Sequence, residues 1–241
     1  AWGTDHVIYR LGDDLSVRLP KIGWAAEQGR LEQRWLPVLA PHLPVRIPVP
    51  LHVGQPAEEY PFTWYVSPWL PGQNPRPGDD DVRLAVDLAA FVHALQGVDP
   101  AGGPPPQPGK RGGPLAPADA STRERAEQLR GQTDVDALLA VWDAGLHGPP
   151  WDRPPVWCHG DLSDGNLLLV EGRLAGVIDW GGLCVGDPAV DLMISWQLFD
   201  AGGRAVYRDA LGFVDDATWL RARAWAVSAA VHALPYYRDT N

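Results

Sequence analysis

Only two cysteines, Cys158 and Cys184, occur in 241 residues. Two cysteines make no disulfide framework, which fits a reducing compartment and leads to an expected cytoplasmic location. No apolar run approaches the roughly 20 residues needed to span a bilayer, and no signal peptide opens the sequence. No membrane partner is therefore expected. Cations are outnumbered: 20 Lys and Arg against 30 Asp and Glu leave a formal net charge of -10. That balance argues against a nucleic-acid partner, because phosphate backbones need clustered Lys and Arg. There is no internal repeat. Among the histidines, His6, His42, His52, His93, His147 and His232 lack metal-ligand spacing, and His93 is expected to pack within its helix. Cys158 beside His159 is expected to be buried and inert, since neighbours on a strand point to opposite faces. Core packing is expected for most of the twelve tryptophans, and no stacking site is expected at Trp64 or Trp69.

What is present suits a folded enzyme-sized chain. The composition is 45% hydrophobic and 21% charged, and the length allows one core or two lobes. "DHVIYRLG" and "LSVRLP" alternate β-formers around Gly12-Asp13-Asp14, a hairpin pattern. "GWAAEQGRLEQRWLPVLAP" has helical spacing and should end near Pro37 or Pro41. "RIPVPLHVGQ" and "PFTWYVSPWL" read as two more strands, the first pushed to an edge by its prolines. Beyond Pro71-Gly72, Asp79-Asp80-Asp81 opens a helix over 81–98 in which Leu84, Leu88, Phe91 and Leu95 share a face. "DPAGGPPPQPGKRGGPLAP" is a loop, expected to be exposed; Arg111-Gly112-Gly113-Pro114 in it would be a lid or a disordered linker. Helical stretches follow near 118–146 and 217–233. The expected class is α+β, with a small β-rich lobe over 1–70 and a larger, mainly helical lobe over 71–241. Because "AWGTDHVIYRL" begins directly on a strand, the chain is expected to be part of a longer protein lacking its first segment.

The stretch "HGDLSDGN" at 159–166 lies between the apolar runs 156–158 and 167–170. Ser-Asp-Gly-Asn alone would turn the chain, yet His159 and Asp161 stand in front of it. If Glu171-Gly172 is a two-residue turn, the following hairpin pairs Val170 with Arg173 and Asn166 with Val177. Asp179 then lies on the same side as Asn166 at the open end, with Asp161 leading in. Two carboxylates and an amide at one mouth suit Mg²⁺, which takes few protein oxygens and completes its shell with water and phosphate. The second of the two carboxylates, held off the metal, can accept a hydroxyl proton, and together these supply the parts for phosphoryl transfer. The alternative is that Asp161, Asp164 and Asn166 only shape a turn and Asp179 only ends a strand.

"HGDLSDGN" followed by "GVIDWGGLCVGDPAVDL" resembles the aminoglycoside phosphotransferase family, which has the protein-kinase-like two-lobe fold. The resemblance runs from about residue 3 to 200. It implies that Asp161 is the catalytic base and that Asn166 and Asp179 hold Mg²⁺. His159 and Asp191 would support the loop, and Asp187 would brace it or wall the acceptor site. In the small lobe it puts Arg18 at the position of the nucleotide-binding lysine, with Glu32 as its ion-pair partner and Glu27 as a competitor. Arginine keeps the charge but not the shape of lysine. Gly3 and Thr4 occupy the nucleotide-loop position without a G-x-G-x-x-G pattern. The Ser67 carbonyl and the Trp69 amide would meet the purine edge, since Pro68 has no N–H to offer.

The resemblance thus implies a small-molecule kinase moving the γ-phosphate of ATP or GTP to a hydroxylated substrate, with antibiotic resistance as one outcome. Acidic residues are scattered, so the sequence shows no cleft tailored to a polycation, and the acceptor stays open. The alternative is a nucleotide- or ligand-binding module of the same fold with impaired catalysis, suggested by Arg18 and the sparse glycines. A protein kinase is disfavoured, because Gly186-Asp187-Pro188 arrives seven residues after Asp179 and leaves no room for an activation loop.

Overall fold

The computed structural model describes residues 5–76, 81–212 and 214–238. Gly3 and Thr4 lie outside the described residues, as do Asp79 and Asp80 of the acidic run. Strands β1 (His6–Leu11) and β2 (Leu15–Pro20) form the expected hairpin, with Leu11 paired to Leu15 and Gly12 at φ +61°. Only a residue without Cβ enters that conformation at little cost. Helix α1 (Gly23–Leu39) follows, then β3 (His52–Gly54) and β4 (Trp64–Pro68). The sheet order β1-β2-β4-β3 leaves β3 at the edge, where its proline-rich approach belongs. The strand is shorter than the sequence suggests, three residues of "RIPVPLHVGQ". Pro37 lies inside α1 and does not end it. Buried Trp35, Leu36 and Leu39 around it hold that turn by packing, which overrides the lost hydrogen bond.

Helix α2 (Asp81–Gln96) buries Leu84, Leu88, Phe91 and Leu95, as its periodicity predicts. His93 is a correction: it is exposed, on the solvent side of the last turn, where a histidine complements the helix dipole. The helical stretch expected at 118–146 is broken into α3 (Asp119–Glu127) and α4 (Val135–Leu146). The break has a local cause, since Gly131 takes φ +87° and Asp134 caps α4 by accepting from the Ala137 amide at 3.0 Å. Next come β5 (Val156–Cys158), β6 (Leu167–Val170), β7 (Arg173–Val177) and β8 (Cys184–Gly186). Short helices α5 (Ala189–Leu192) and α6 (Ser195–Leu198) lead to α7 (Ala201–Leu211) and α8 (Asp216–Arg238). Helix α2 packs on α7, and α4 on α8.

One hydrophobic core runs through both parts. Trp35 of α1 packs at a 60° tilt against Trp157 of β5 with ring centroids 4.9 Å apart, which ties the small sheet and its helix to the helical portion. The architecture is the α+β arrangement expected: a small N-terminal sheet followed by a larger helical part.

Candidate active site

The segment 159–166 does not close a hairpin between its flanking runs. β5 pairs with β8, and β6 pairs with β7, so the segment crosses from one two-stranded sheet to another. The crossing needs a tight backbone approach at Gly160. It has φ +79°, and a Cβ there would stand 2.1 Å from the Gly182 carbonyl oxygen. Only glycine fits, and this is why the sequence reads His-Gly-Asp.

Asp191 braces the crossing. It is fully buried, and its two carboxylate oxygens accept from the main-chain amides of His159 (2.7 Å) and Gly160 (2.8 Å). Burial pushes its carboxyl up to about 7, against the pull of those two amides. His159 is buried too. Its Nε2–H donates to the Ile178 carbonyl at 3.1 Å, and its Nδ1 accepts from the Asp161 amide at 3.2 Å. This one ring therefore links the main chain of Asp161 to the residue before Asp179. His159 and Asp191 support the loop, as the resemblance implies, and neither side chain is aimed at solvent.

A pH test follows from His159. Burial lowers its pKa, so the folded state holds the ring neutral while the unfolded chain protonates it near 6.5. Its contribution to stability is complete above pH 6.5. As pH falls below 6.5 the contribution is lost, by about 1.4 kcal/mol per pH unit. Asp191 works in the opposite direction in the same range, because its folded-state pKa is raised. The comparison is therefore between the unaltered chain and His159→Asn, in urea unfolding at pH 7.5 and 5.5. The unaltered chain is expected to lose the more stability on acidification; equal losses would remove the neutral-histidine account.

The hairpin β6–β7 corrects the expected register. Glu171 (φ +52°) and Gly172 (φ +73°) form the predicted two-residue turn, and Val170 pairs with Arg173. Between Leu168 and Leu169 the register shifts, and Leu167, not Asn166, lies opposite Val177. Ala175 is the extra residue. Its carbonyl accepts from the Arg46 amide at 3.0 Å, and the Arg46 carbonyl in turn accepts from Val177 N–H at 3.0 Å. A third segment thus draws one residue out of the ladder as a bulge. The Ile178 amide then donates to the Asn166 carbonyl at 2.9 Å, and Asp179 adopts φ +62°. The alternation that was to align Asn166 with Asp179 does not operate here; a left-handed turn at Asp179 sets that side chain's direction.

Asp161, Asn166 and Asp179 nevertheless share one hydrogen-bonded frame. Asn166 Nδ2 donates to the Asp161 carbonyl at 2.8 Å, which leaves its Oδ1 as the free acceptor. Asn74 Nδ2, a residue without any signal in the sequence, donates to the carbonyls of Gly165 and Leu167, both at 2.9 Å. Asp179 is reached from the other part of the molecule: Arg18 of β2 donates to its Oδ1 at 2.9 Å. Desolvation favours the neutral acid, but Arg18 outweighs it and holds the Asp179 carboxyl below its ordinary range.

Arg18 is not the surface arginine that a strand in a small sheet would usually carry. It is buried, with Glu32 of α1 at 3.5 Å. Desolvation disfavours its charge, and Glu32 and Asp179 more than restore it. Glu32 is fully buried and accepts from the Tyr65 hydroxyl at 2.5 Å. Glu27, the competing candidate, is exposed and pairs with Arg30.

The hinge expectation divides. Ser67 is buried beside Ser16, whose hydroxyl lies 3.3 Å from the Ser67 carbonyl oxygen. The Trp69 amide is a correction: it already donates to the Asp14 carbonyl at 2.7 Å, extending the β2–β4 ladder. It is not free to meet a purine.

Arg221 carries no signal in the sequence, and Arg111 was expected only as part of a lid or a disordered linker. Arg221 of α8 donates from Nε to Asp187 at 2.7 Å, both buried, so Asp187 is a brace. Arg111 forms an ion pair with Asp161 from the glycine- and proline-rich loop, which is ordered and partly buried where exposure was expected. Cys158 and Cys184 face each other across β5–β8, both buried, and the neighbouring Cys184, together with burial, raises the Cys158 thiol. Among the described residues, no group of three or more His, Cys, Asp or Glu is placed to hold a metal, and no helix is long and apolar enough to cross a membrane. A groove of about 700 Å³ lined by Leu43, Ile47, Trp69 and Ala175 includes none of the three oxygen-bearing residues.

Comparison with known proteins agrees with this arrangement. The profile of the phosphotransferase enzyme family matches residues 1–225. An aminoglycoside 3'-phosphotransferase of Escherichia coli is 40% identical over 90 residues, 34% of this chain and 33% of that protein. The uncharacterized protein YcbJ of Bacillus subtilis is 27% identical over 173 residues, 66% of this chain and 51% of that protein. The aligned part thus spans about half the length of one curated relative and a third of the other. Among solved structures, the GDP and kanamycin complex of an aminoglycoside phosphotransferase, APH(2")-IIIa, superposes with TM-score 0.78 at 22% identity, covering 100% of this chain and 86% of that one. A macrolide 2'-phosphotransferase, MphH of Brachybacterium faecium, gives TM-score 0.67 at 24% identity, with 99% and 84% covered.

Proposed function

The chain belongs to the phosphotransferase enzyme family, and from that premise we propose that it transfers the γ-phosphate of ATP or GTP, with Mg²⁺, to a hydroxyl of a small molecule. Residues 1–70 serve the nucleotide and residues 71–241 serve catalysis and the acceptor. The observation that carries the reading is the Arg18–Asp179 contact, which brings the buried cation of β2 against the acid that follows β7. In a kinase-like site these are the cation for the donor's phosphates and the acid for its metal.

The residues fit Mg²⁺. Asn166 turns its amide nitrogen inward and offers Oδ1, and half of the Asp179 side chain is exposed, with Arg18 occupying one oxygen. Two hard oxygens are what this ion takes from a protein when phosphate and water fill the other positions. Bound there, the ion would neutralise charge on the donor's phosphates.

Asp161 is the base. Its carboxylate is reachable by solvent while its main chain is fixed by His159 and Asn166, so it can receive the acceptor's hydroxyl proton without moving the loop. Arg18 binds phosphate oxygens, and Glu32, held by Tyr65, keeps Arg18 extended. The Ser67 carbonyl accepts from the base of the nucleotide, and Gly3 and Thr4 line its phosphates. The acceptor is a hydroxylated metabolite or antibiotic. Aminoglycosides and macrolides are the first to test, because relatives of this fold are named for them.

One observation favours a second reading, a nucleotide-binding module with impaired catalysis: Arg111 already occupies Asp161. Calorimetry with ATP and GTP, with and without Mg²⁺, followed by nucleotide consumption against a panel of hydroxylated acceptors, separates the two. Expected are Mg²⁺-dependent binding and acceptor-dependent consumption. Binding without consumption by any acceptor would favour the module, and absence of nucleotide binding would overturn both.

A further inference from the structure

Resting on the phosphotransferase reading, we infer that Arg111 is a catalytic residue whose guanidinium leaves Asp161 when nucleotide binds and grips the phosphoryl group being transferred. Its loop is not slack. The Val185 amide donates to the Pro104 carbonyl at 2.7 Å, and the Asp187 amide donates to the Gly112 carbonyl at 2.8 Å, so main-chain bonds to β8 and its exit flank Arg111. The seat is tight as well. A Cβ on Gly112, which has φ +87°, would lie 2.5 Å from Cys184 Sγ, and one on Gly186 would lie 2.2 Å from the Gly112 oxygen. A loop anchored this closely presents its one outward arginine at a set place, and that place is Asp161.

The pair itself is open, with each side chain about 40% exposed. An ion pair so accessible to water is weak, and it yields to a phosphate, which carries more charge and accepts two parallel N–H bonds from a guanidinium. Arg111 covers only Oδ1 of Asp161, so Oδ2 can receive the proton while the guanidinium turns from Oδ1 to the phosphoryl group. An acceptor hydroxyl bonded to Asp161 lies roughly 2.6–3.2 Å from it, and the reacting phosphorus lies roughly 3–3.5 Å beyond that oxygen. The phosphoryl oxygens therefore come within a side-chain rotation of a guanidinium resting on Asp161. Arg18 stands on Asp179 and Glu32, not on Asp161, so it serves the donor's phosphates from the metal side and leaves the acceptor side to Arg111.

In the step, the acceptor oxygen bonds to phosphorus and the bond to the bridging oxygen breaks, its electron pair leaving on the nucleoside diphosphate. The hydroxyl proton passes to Asp161. Arg111 remains protonated throughout and donates to the non-bridging oxygens.

The test uses the full chain and Arg111→Met, Arg111→Lys, Asp161→Asn and Arg111→Met/Asp161→Asn. Binding of ATP and ADP (and of GTP and GDP) is measured with Mg²⁺, and kcat and KM are measured with the best acceptor of the panel. Arg111→Met is expected to cut the preference for triphosphate over diphosphate about tenfold, the scale of one charge-assisted contact. It should lower kcat on the order of 10²-fold or more with little change in acceptor KM. Arg111→Lys should recover part of both, since it keeps the charge but not the fork. Asp161→Asn should tighten triphosphate binding only while Arg111 is present. Unchanged triphosphate preference and kcat in Arg111→Met would overturn the assignment. An Arg111-dependent preference in a chain that phosphorylates no acceptor would instead overturn the phosphotransferase reading. The main-chain anchoring predicts that all variants fold, and their unfolding midpoints check this.

Discussion

Asp161→Asn is expected to lower kcat for phosphate transfer by about 10²–10⁴-fold, the range supplied by a positioned general base. The substitution keeps the size and leaves the main-chain frame intact, because Asn166 and His159 bind the backbone of residue 161 and not its carboxylate. Loss of rate should therefore come with an unchanged unfolding midpoint and with nucleotide binding retained. Steady-state kinetics on the same acceptor read it directly. A variant with undiminished turnover would assign the proton to another group, and none of the other acids described here is as well placed: Asp179 is held by Arg18, and Asp187 and Asp191 are buried as braces.

The largest stability effect is expected at Arg221. Its guanidinium donates to Asp187 at 2.7 and 3.3 Å, to the Thr218 hydroxyl at 3.1 Å and to the Pro149 carbonyl at 2.7 Å. Arg221→Leu strands the Asp187 carboxylate in a buried place, which costs about 3–5 kcal/mol when one partner of such a pair is removed. For a chain of this size that is roughly 6–20 °C in midpoint. Removing both charges is less damaging, because no uncompensated ion remains. The Asp187→Leu/Arg221→Leu variant should recover part of the loss, and thermal unfolding of the two variants side by side measures it. A double variant no more stable than the single one would mean that Asp187 matters for its own cap on Ala189, whose amide it accepts at 3.0 Å. Activity should fall in both. The Asp187 amide holds the loop that carries Arg111, so the brace and the proposed catalytic cation are connected through one hydrogen bond.

Much of this site is legible along the chain because its chemistry is local. Asp161 and Asn166 are five residues apart, and their frame is a main-chain matter that glycine at 160 makes possible. The helical face of α2 and the two turns at Gly12 and at Glu171-Gly172 are likewise short-range patterns, and they appear where spacing puts them. Arg18 and Glu32 were visible only through the resemblance, since nothing in "LSVRLP" distinguishes a buried arginine from a solvated one. The failures are of a different kind. The register of β6–β7 slipped at Ala175 because Arg46, far away in sequence, takes its carbonyl. The Trp69 amide is taken by the carbonyl of Asp14, a residue distant in sequence that strand pairing brings opposite it. His93 and Pro37 show packing deciding what propensity alone does not.

Sequence alone therefore determined the α+β class, the identity of the acids and the amide, and the need for glycine beside them, because turns, periodicity and side-chain chemistry act over a few residues. Only the tertiary structure decided which cations those acids meet. Arg18 on Asp179, Arg111 on Asp161 and Arg221 on Asp187 join residues that are 161, 50 and 34 positions apart. Charge pairing across such separations leaves no spacing in the chain to read; it is set by where the core brings the backbones together.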